Sequence, residues 1–168
     1  MMTLESAYYL IQIVAGTAVV VSLIYLGVGV RHNTRAAKLA AVQAVQAAIG
    51  RTEEMIIQDK SFAELLMRGL TVDASEMSGA DRIRLNVFYR HTLRTYQSAH
   101  YQFRNAVLEA SVWKPQEKAL AAIFHADRGL KRHFEVEKYM LDGAFVVLCE
   151  RLLRENNDLQ ITSAEKPA

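Results

Sequence analysis

Tyr8–Val30 reads YYLIQIVAGTAVVVSLIYLGVGV and carries no charged side chain. Wound as an α-helix at about 1.5 Å per residue, these 23 residues extend about 35 Å, enough to cross a hydrocarbon core of about 30 Å with some tilt. A cleaved signal peptide would place basic residues ahead of an apolar core of about 7–15 residues. Here Glu5 is the one charged side chain before the stretch, and the stretch is longer. A buried core helix can be as apolar, but seldom over such a length. The stretch therefore predicts a single N-terminal transmembrane helix.

The flanks predict its orientation. Arg31, Arg35 and Lys38 follow Val30 with no acid until Glu53, and no Lys or Arg precedes the span. By the positive-inside rule the chain after the span is cytoplasmic and the short N-terminus lies outside. Spaced i, i+4, i+7, the three cations share one helix face, from which their stems reach along the membrane interface toward lipid headgroups. Their plainest role is to fix topology. Within the span, Ala15, Ser22 and Gly29 recur every seven residues, Ala18 lies beside the first two, and Tyr25 shares their side. Small residues at that repeat let another helix backbone approach closely, so this face predicts helix packing and self-association.

The rest of the 168 residues is one domain's worth of chain. A hydrophobic fraction of 51% with 2 Pro and 8 Gly describes a packed chain, and a net charge of +2 gives no argument for a nucleic-acid partner. The single cysteine, Cys149, cannot pair within the chain.

No stop signal separates Val30 from Arg31. The Ala-rich run beyond it, with Leu39, Val42, Val45, Ile49 and Ile56 at helical spacing, predicts that the membrane helix continues as a stalk to about Gln58, with Gly50 a point where it can bend. Asp59 and Ser61 open a short helix that Gly69 closes. Thr71–Ser78 reads as a loop, and Ser78 or Asp81 starts the next helix. Leu85, Tyr89, Leu93, Tyr96, His100, Phe103 and Val107 form one stripe that makes this helix central. Ser111 and Pro115 mark a further start, with Ala119, Leu120, Ile123 and Phe124 inward. Gly129 breaks the chain, Leu130–Met140 is a short helix with Phe134 inward, and Asp142 caps a last helix burying Phe145, Leu148, Cys149 and Leu152. The expected fold is all-α: a short segment over 1–7, the span over 8–30, the stalk over 31–58, a helical bundle over 59–157 and a frayed tail over 158–168.

The segment Val30, Arg31, Asn33, Thr34, Arg35 and Ala36, directly after a membrane span, resembles the V-R-x-N-T-R-A-like segment of a group of small bacterial membrane-anchored all-α proteins. Tyr101, Gln102, Phe103, Arg104, Leu108 and Trp113 resemble that group's second pattern, and the resemblance covers about residues 4–155. It implies a single-pass protein of the bacterial inner membrane with a helical fold, and it brings no activity with it.

Candidate chemistry is sparse. No H-E-x-x-H, E-x-x-H or cysteine pair occurs; His125 with Asp127, or His133 with Glu137, could ligate a metal only with help from elsewhere, so none is expected. Absent a Gly-rich phosphate loop or Gly-x-Ser-x-Gly, no cofactor is expected either. Cys149, on an apolar helix face, reads as an inert core thiol. The 81–105 helix carries Arg82, Arg84, Arg90, Arg94 and Arg104 against Asp81, interleaved with tyrosines, which is the composition single-stranded RNA binding uses. Arg94 and His100 also resemble the Arg-x(4–6)-His signature of HEPN-type ribonucleases, in which Arg would bind phosphate and His would assist proton transfer. Arg84/His91 and Arg128/His133 meet the same loose spacing, which weakens it. The bland reading pairs these arginines with Glu135, Glu137, Glu150 and Glu155, and makes His100 a core residue with a satisfied ring N–H.

The sequence thus favours a non-catalytic, self-associating scaffold or adaptor at the cytoplasmic membrane face, with membrane lipids and further copies of itself as partners. A membrane-tethered HEPN-like ribonuclease and a small oligomeric channel are the alternatives.

Overall fold

The computed structural model describes residues 4–71 and 76–164, which form six α-helices and one 3-10 turn with no strand. The chain divides into two compact units, Met1–Ala40 and Ala41–Ala168.

Helix α1 (Leu4–Gln58) supplies all the described structure of the first unit. It is long and apolar enough to cross a membrane by length and composition. Over residues 15–30 its apolar side chains are exposed right round the helix: Val19, Val20, Leu23, Ile24 and Leu26 each keep more than half of their surface uncovered. Two hydroxyls are tied back onto the helix. Ser22 Oγ donates to the Ala18 carbonyl at 2.8 Å, and Thr34 Oγ1 donates to the Val30 carbonyl at 2.9 Å. The helix continues through Gly50.

The second unit begins within the same helix. Val45 is buried there, and Val42, Ile49 and Ile56 are partly buried against the core. Leu39, expected on the same buried face, is exposed instead because it precedes the first residue that this core covers.

Helix α2 (Lys60–Thr71) is capped by Asp59, whose Oδ1 accepts from Phe62 N and Ser61 Oγ. Gly69 does not close this helix. It lies within it, buried on the face of Phe62 and Leu65. Most of the loop expected before Ser78 falls outside the described residues. Helix α3 (Gly79–Arg104) starts at Ser78, whose Oγ accepts from Asp81 N at 3.1 Å. It packs against α2, α4, α5 and α6, so it is central as its stripe predicted. The stripe fails only at its end. Ala106 adopts φ 56°, and the Ala106 and Val107 amides donate to the carbonyls of Phe103 and Gln102. This is a Schellman stop with alanine where glycine is usual. The turn carries Val107 off the helix, and Leu108 becomes the buried residue.

Helix α4 (Ala110–Ala126) begins at Glu109, so Ser111 falls inside its first turn and Pro115 inside the helix. Its inner face is Trp113, Glu117, Leu120 and Phe124; Ala119 and Ile123 sit at its margin. Helix α5 (Arg128–Glu137) is capped by Asp127, whose Oδ1 accepts from Leu130 N at 3.0 Å; Gly129 belongs to its first turn rather than to a break. The Lys138–Met140 3-10 turn follows. Asp142 then caps helix α6 (Gly143–Ala164) through Phe145 N at 3.2 Å. Phe145, Leu148, Cys149 and Leu152 are buried as their spacing predicted. The helix runs on to Ala164, past Asp158 where sequence periodicity is lost.

The core centres on Trp113, Phe124, Phe134 and Phe145, all almost wholly buried. Phe124 meets Phe134 edge-on at 5.7 Å, and Phe103 stacks on Trp113 at 5.8 Å.

Candidate functional site

Tyr89 organises a polar cluster of the second unit. Its ring is buried on α3, and its hydroxyl reaches between two glycines, Gly69 of α2 and Gly129 of α5. A methyl at Gly69 would come within 3.1 Å of that hydroxyl, and one at Gly129 would overlap it. The glycines are therefore needed for close helix approach, not for turns. The hydroxyl donates to Asp127 Oδ1 at 3.2 Å, the oxygen that also caps α5. Burial pushes both groups up from their ordinary values: Asp127 by desolvation against the bonds it accepts, and Tyr89 by desolvation and the neighbouring Asp127 charge.

From the next residue of α3, Arg90 donates to Glu137 Oε1 at the far end of α5, from Nε at 2.7 Å and also from its terminal nitrogen. That fork holds the Glu137 carboxyl below its usual range even though the group is buried. His133 is buried one helical turn before Glu137. Its Nε2 is 3.4 Å from Glu137 Oε2, but the two are not aligned for a hydrogen bond, and that nitrogen has no hydrogen-bond partner. Burial holds His133 below the ordinary imidazole value, so it is neutral near pH 7. A cavity of about 340 Å³ opens beside this cluster. Arg82, Asn86, Arg90, Arg132, His133 and Glu137 give its polar wall, and Leu85 and Val136 are part of its apolar wall.

The sequence-selected pair lies elsewhere and apart. Arg94 is exposed and lines a separate cavity of about 260 Å³ with His91, Thr95 and Ser98. His100 is buried between Trp113, 5.3 Å away, and Phe145, 5.9 Å away. Six residues at about 100° each turn the two onto different faces of α3. His100 sits in the core as expected, and its Nδ1 is buried without a hydrogen-bond partner among the described residues. Burial, with Arg104 adding, lowers its pKa.

Three of the five arginines of α3 pair, two of them with other acids than expected. Arg84 meets Asp59 at 2.8 Å, Arg104 meets Asp142 at 3.2 Å, and only Arg90 takes the predicted Glu137. Glu117 is a buried carboxylate that sequence reading misses, held by Lys114 at 2.8 Å and by Arg151. Those bonds outweigh burial and hold its pKa down. Cys149 is wholly buried, with its thiol pushed up to about 12 by desolvation.

In the first unit, Ala15, Ala18, Ser22 and Gly29 are exposed, as are Arg31, Arg35 and Lys38 apart from partial cover at Lys38. The chain matches no family model, no curated protein and no solved structure.

Proposed function

We propose that this is a single-pass protein of the bacterial inner membrane, in which residues 8–30 of α1 span the bilayer and the second unit is a cytoplasmic helical bundle acting as a scaffold or adaptor. The observation that carries this reading is the bare apolar surface of α1. Val19, Val20, Val21, Leu23, Ile24, Tyr25 and Leu26 are all exposed in succession. A water-soluble monomer rarely exposes a contiguous apolar patch beyond a few hundred Å², and lipid is the solvent that makes such a surface favourable. The back-bonded Ser22 hydroxyl fits the same solvent, since it leaves no donor unpaired in hydrocarbon. Arg31, Arg35 and Lys38 put the positive charge on the side of the second unit, and the Val30–Ala36 segment fits the bacterial membrane-anchored group it resembles.

A scaffold role is supported over catalysis by where the reactive side chains lie. His100 is packed between aromatic rings, Cys149 is a protonated core thiol, and Glu117 and Glu137 are neutralised by arginine. The Ala15, Ser22 and Gly29 face supports self-association through the span. The test is extraction. Wild-type protein stays with membranes in alkaline carbonate. Val20→Lys with Ile24→Lys adds about 2.5–3.5 kcal/mol per charge at the span centre and moves it to the soluble fraction. Wild-type protein released by carbonate would refute the anchor.

A further inference from the structure

We propose that the cavity between α2, α3 and α5 is a binding site for a small molecule bearing a phosphate group. The cavity is built rather than incidental. Tyr89 and the two glycines that flank its hydroxyl, Gly69 and Gly129, line it, and two further lining residues, His133 and Glu137, are more than nine-tenths buried. Among the described residues, the guanidinium groups of Arg82, Arg90 and Arg132 and the carboxylate of Glu137 line it. Arg90 is already forked onto that carboxylate. Arg82 makes no ion pair among the described residues. Arg82 therefore offers the cavity a planar, multiply donating cation that no described carboxylate engages, and such a group matches the oxygens of a phosphate. Asn86 adds an amide, and His133 brings a buried ring nitrogen without a partner.

Size and lining limit the ligand. About 340 Å³ is at the small end of ligand pockets and admits a phosphate with a short organic body. Met77, Leu85 and Val136 give that body an apolar side to rest on. The phosphate could come from a soluble ester or from an anionic lipid headgroup, and the recognition chemistry is the same for both. The site rests on the cavity alone and stands independently of the membrane anchor.

The experiment uses the full chain in nanodiscs of neutral lipid. Inorganic phosphate and glycerol phosphate are titrated while the His133 ring resonances and calorimetric heats are followed. A parallel arm places phosphatidic acid in the disc. Saturable shifts at His133 are expected from the soluble ester or from the anionic disc, and the responding arm identifies the source. Arg82→Gln removes an exposed side chain without touching the core, and should weaken binding about tenfold. Arg84→Gln removes a like charge two residues away that is engaged with Asp59, and should change binding less than twofold. Equal weakening by the two variants would reduce the effect to diffuse surface attraction and overturn the site. So would the absence of any His133 shift in both arms at millimolar ligand.

Discussion

Replacing Gly129 by alanine should cost far more than helix propensity allows. Gly129 lies in the first turn of α5, where alanine alone would gain about 0.5–1 kcal/mol. Its new methyl, however, would overlap the Tyr89 hydroxyl and come within 3.0 Å of Asp127 Oδ1. Overpacking of this kind costs about 1–3 kcal/mol. Moving the hydroxyl also deprives the buried Asp127 carboxylate of a donor, about 1–3 kcal/mol more. The net loss is about 3 kcal/mol, or roughly 10 °C in Tm for a unit of this size. Trp113 is the only tryptophan and is 1% exposed, so its emission reports unfolding of the second unit without interference from α1. The decisive comparison is the double-mutant cycle with Tyr89→Phe, which deletes the clashing oxygen. Gly129→Ala should be about 1–2 kcal/mol less damaging in the Phe background. Additive effects within about 0.5 kcal/mol, or a stabilising Gly129→Ala, would refute the close approach of α2, α3 and α5 at Tyr89.

Three other outcomes are expected. Acidification from pH 7.5 to 5.5 should lower Tm. Burial keeps the folded-state pKa values of His100 and His133 below the ordinary 6.5, so their contribution is full above that value and fades as pH falls through the folded values; His100→Gln with His133→Gln should flatten this slope, and an unchanged slope would contradict it. Ala106→Gly should raise stability by about 0.5–1 kcal/mol in denaturant titration, since glycine meets φ 56° without the alanine penalty, and a loss would count against the Schellman stop. Ser22→Ile with Gly29→Ile should leave membrane insertion intact but weaken self-association in light scattering; undiminished association would place the contact outside the small-residue face.

Much of this architecture is legible in the sequence because its signals are local. Ser78 and Asp142 announce themselves as caps of the helices they precede, whereas Asp127, which caps α5, is hidden by the Gly129 that follows it. Five of the seven residues in the α3 stripe are buried, because helical spacing reports a face directly. Gly69 and Gly129 mislead for a physical reason. A glycine that stops a helix and one that admits a neighbour look alike until the neighbour, here Tyr89, is placed. Glu117 escapes notice because one of its two cationic partners, Arg151, lies on another helix. The cavity beside Tyr89 is illegible for the same cause: Arg82, Arg132 and His133 converge only once α3 and α5 pack. His133 and Glu137 stand out as neighbours on a helix, but their burial and the Arg90 fork have no local signature.

The central claim is that residues 8–30 cross the membrane and leave the second unit in the cytoplasm. Cysteine labelling tests it most directly, because native Cys149 is fully buried with its thiol pushed up to about 12 and gives little background. Ser6→Cys places a thiol before the span, and Tyr139→Cys places one on a side chain that is 87% exposed in the second unit. With a membrane-impermeant maleimide, Ser6→Cys should label in intact spheroplasts and Tyr139→Cys only after the membrane is opened. Labelling of Tyr139→Cys in intact spheroplasts, or equal protection of both sites, would contradict the account.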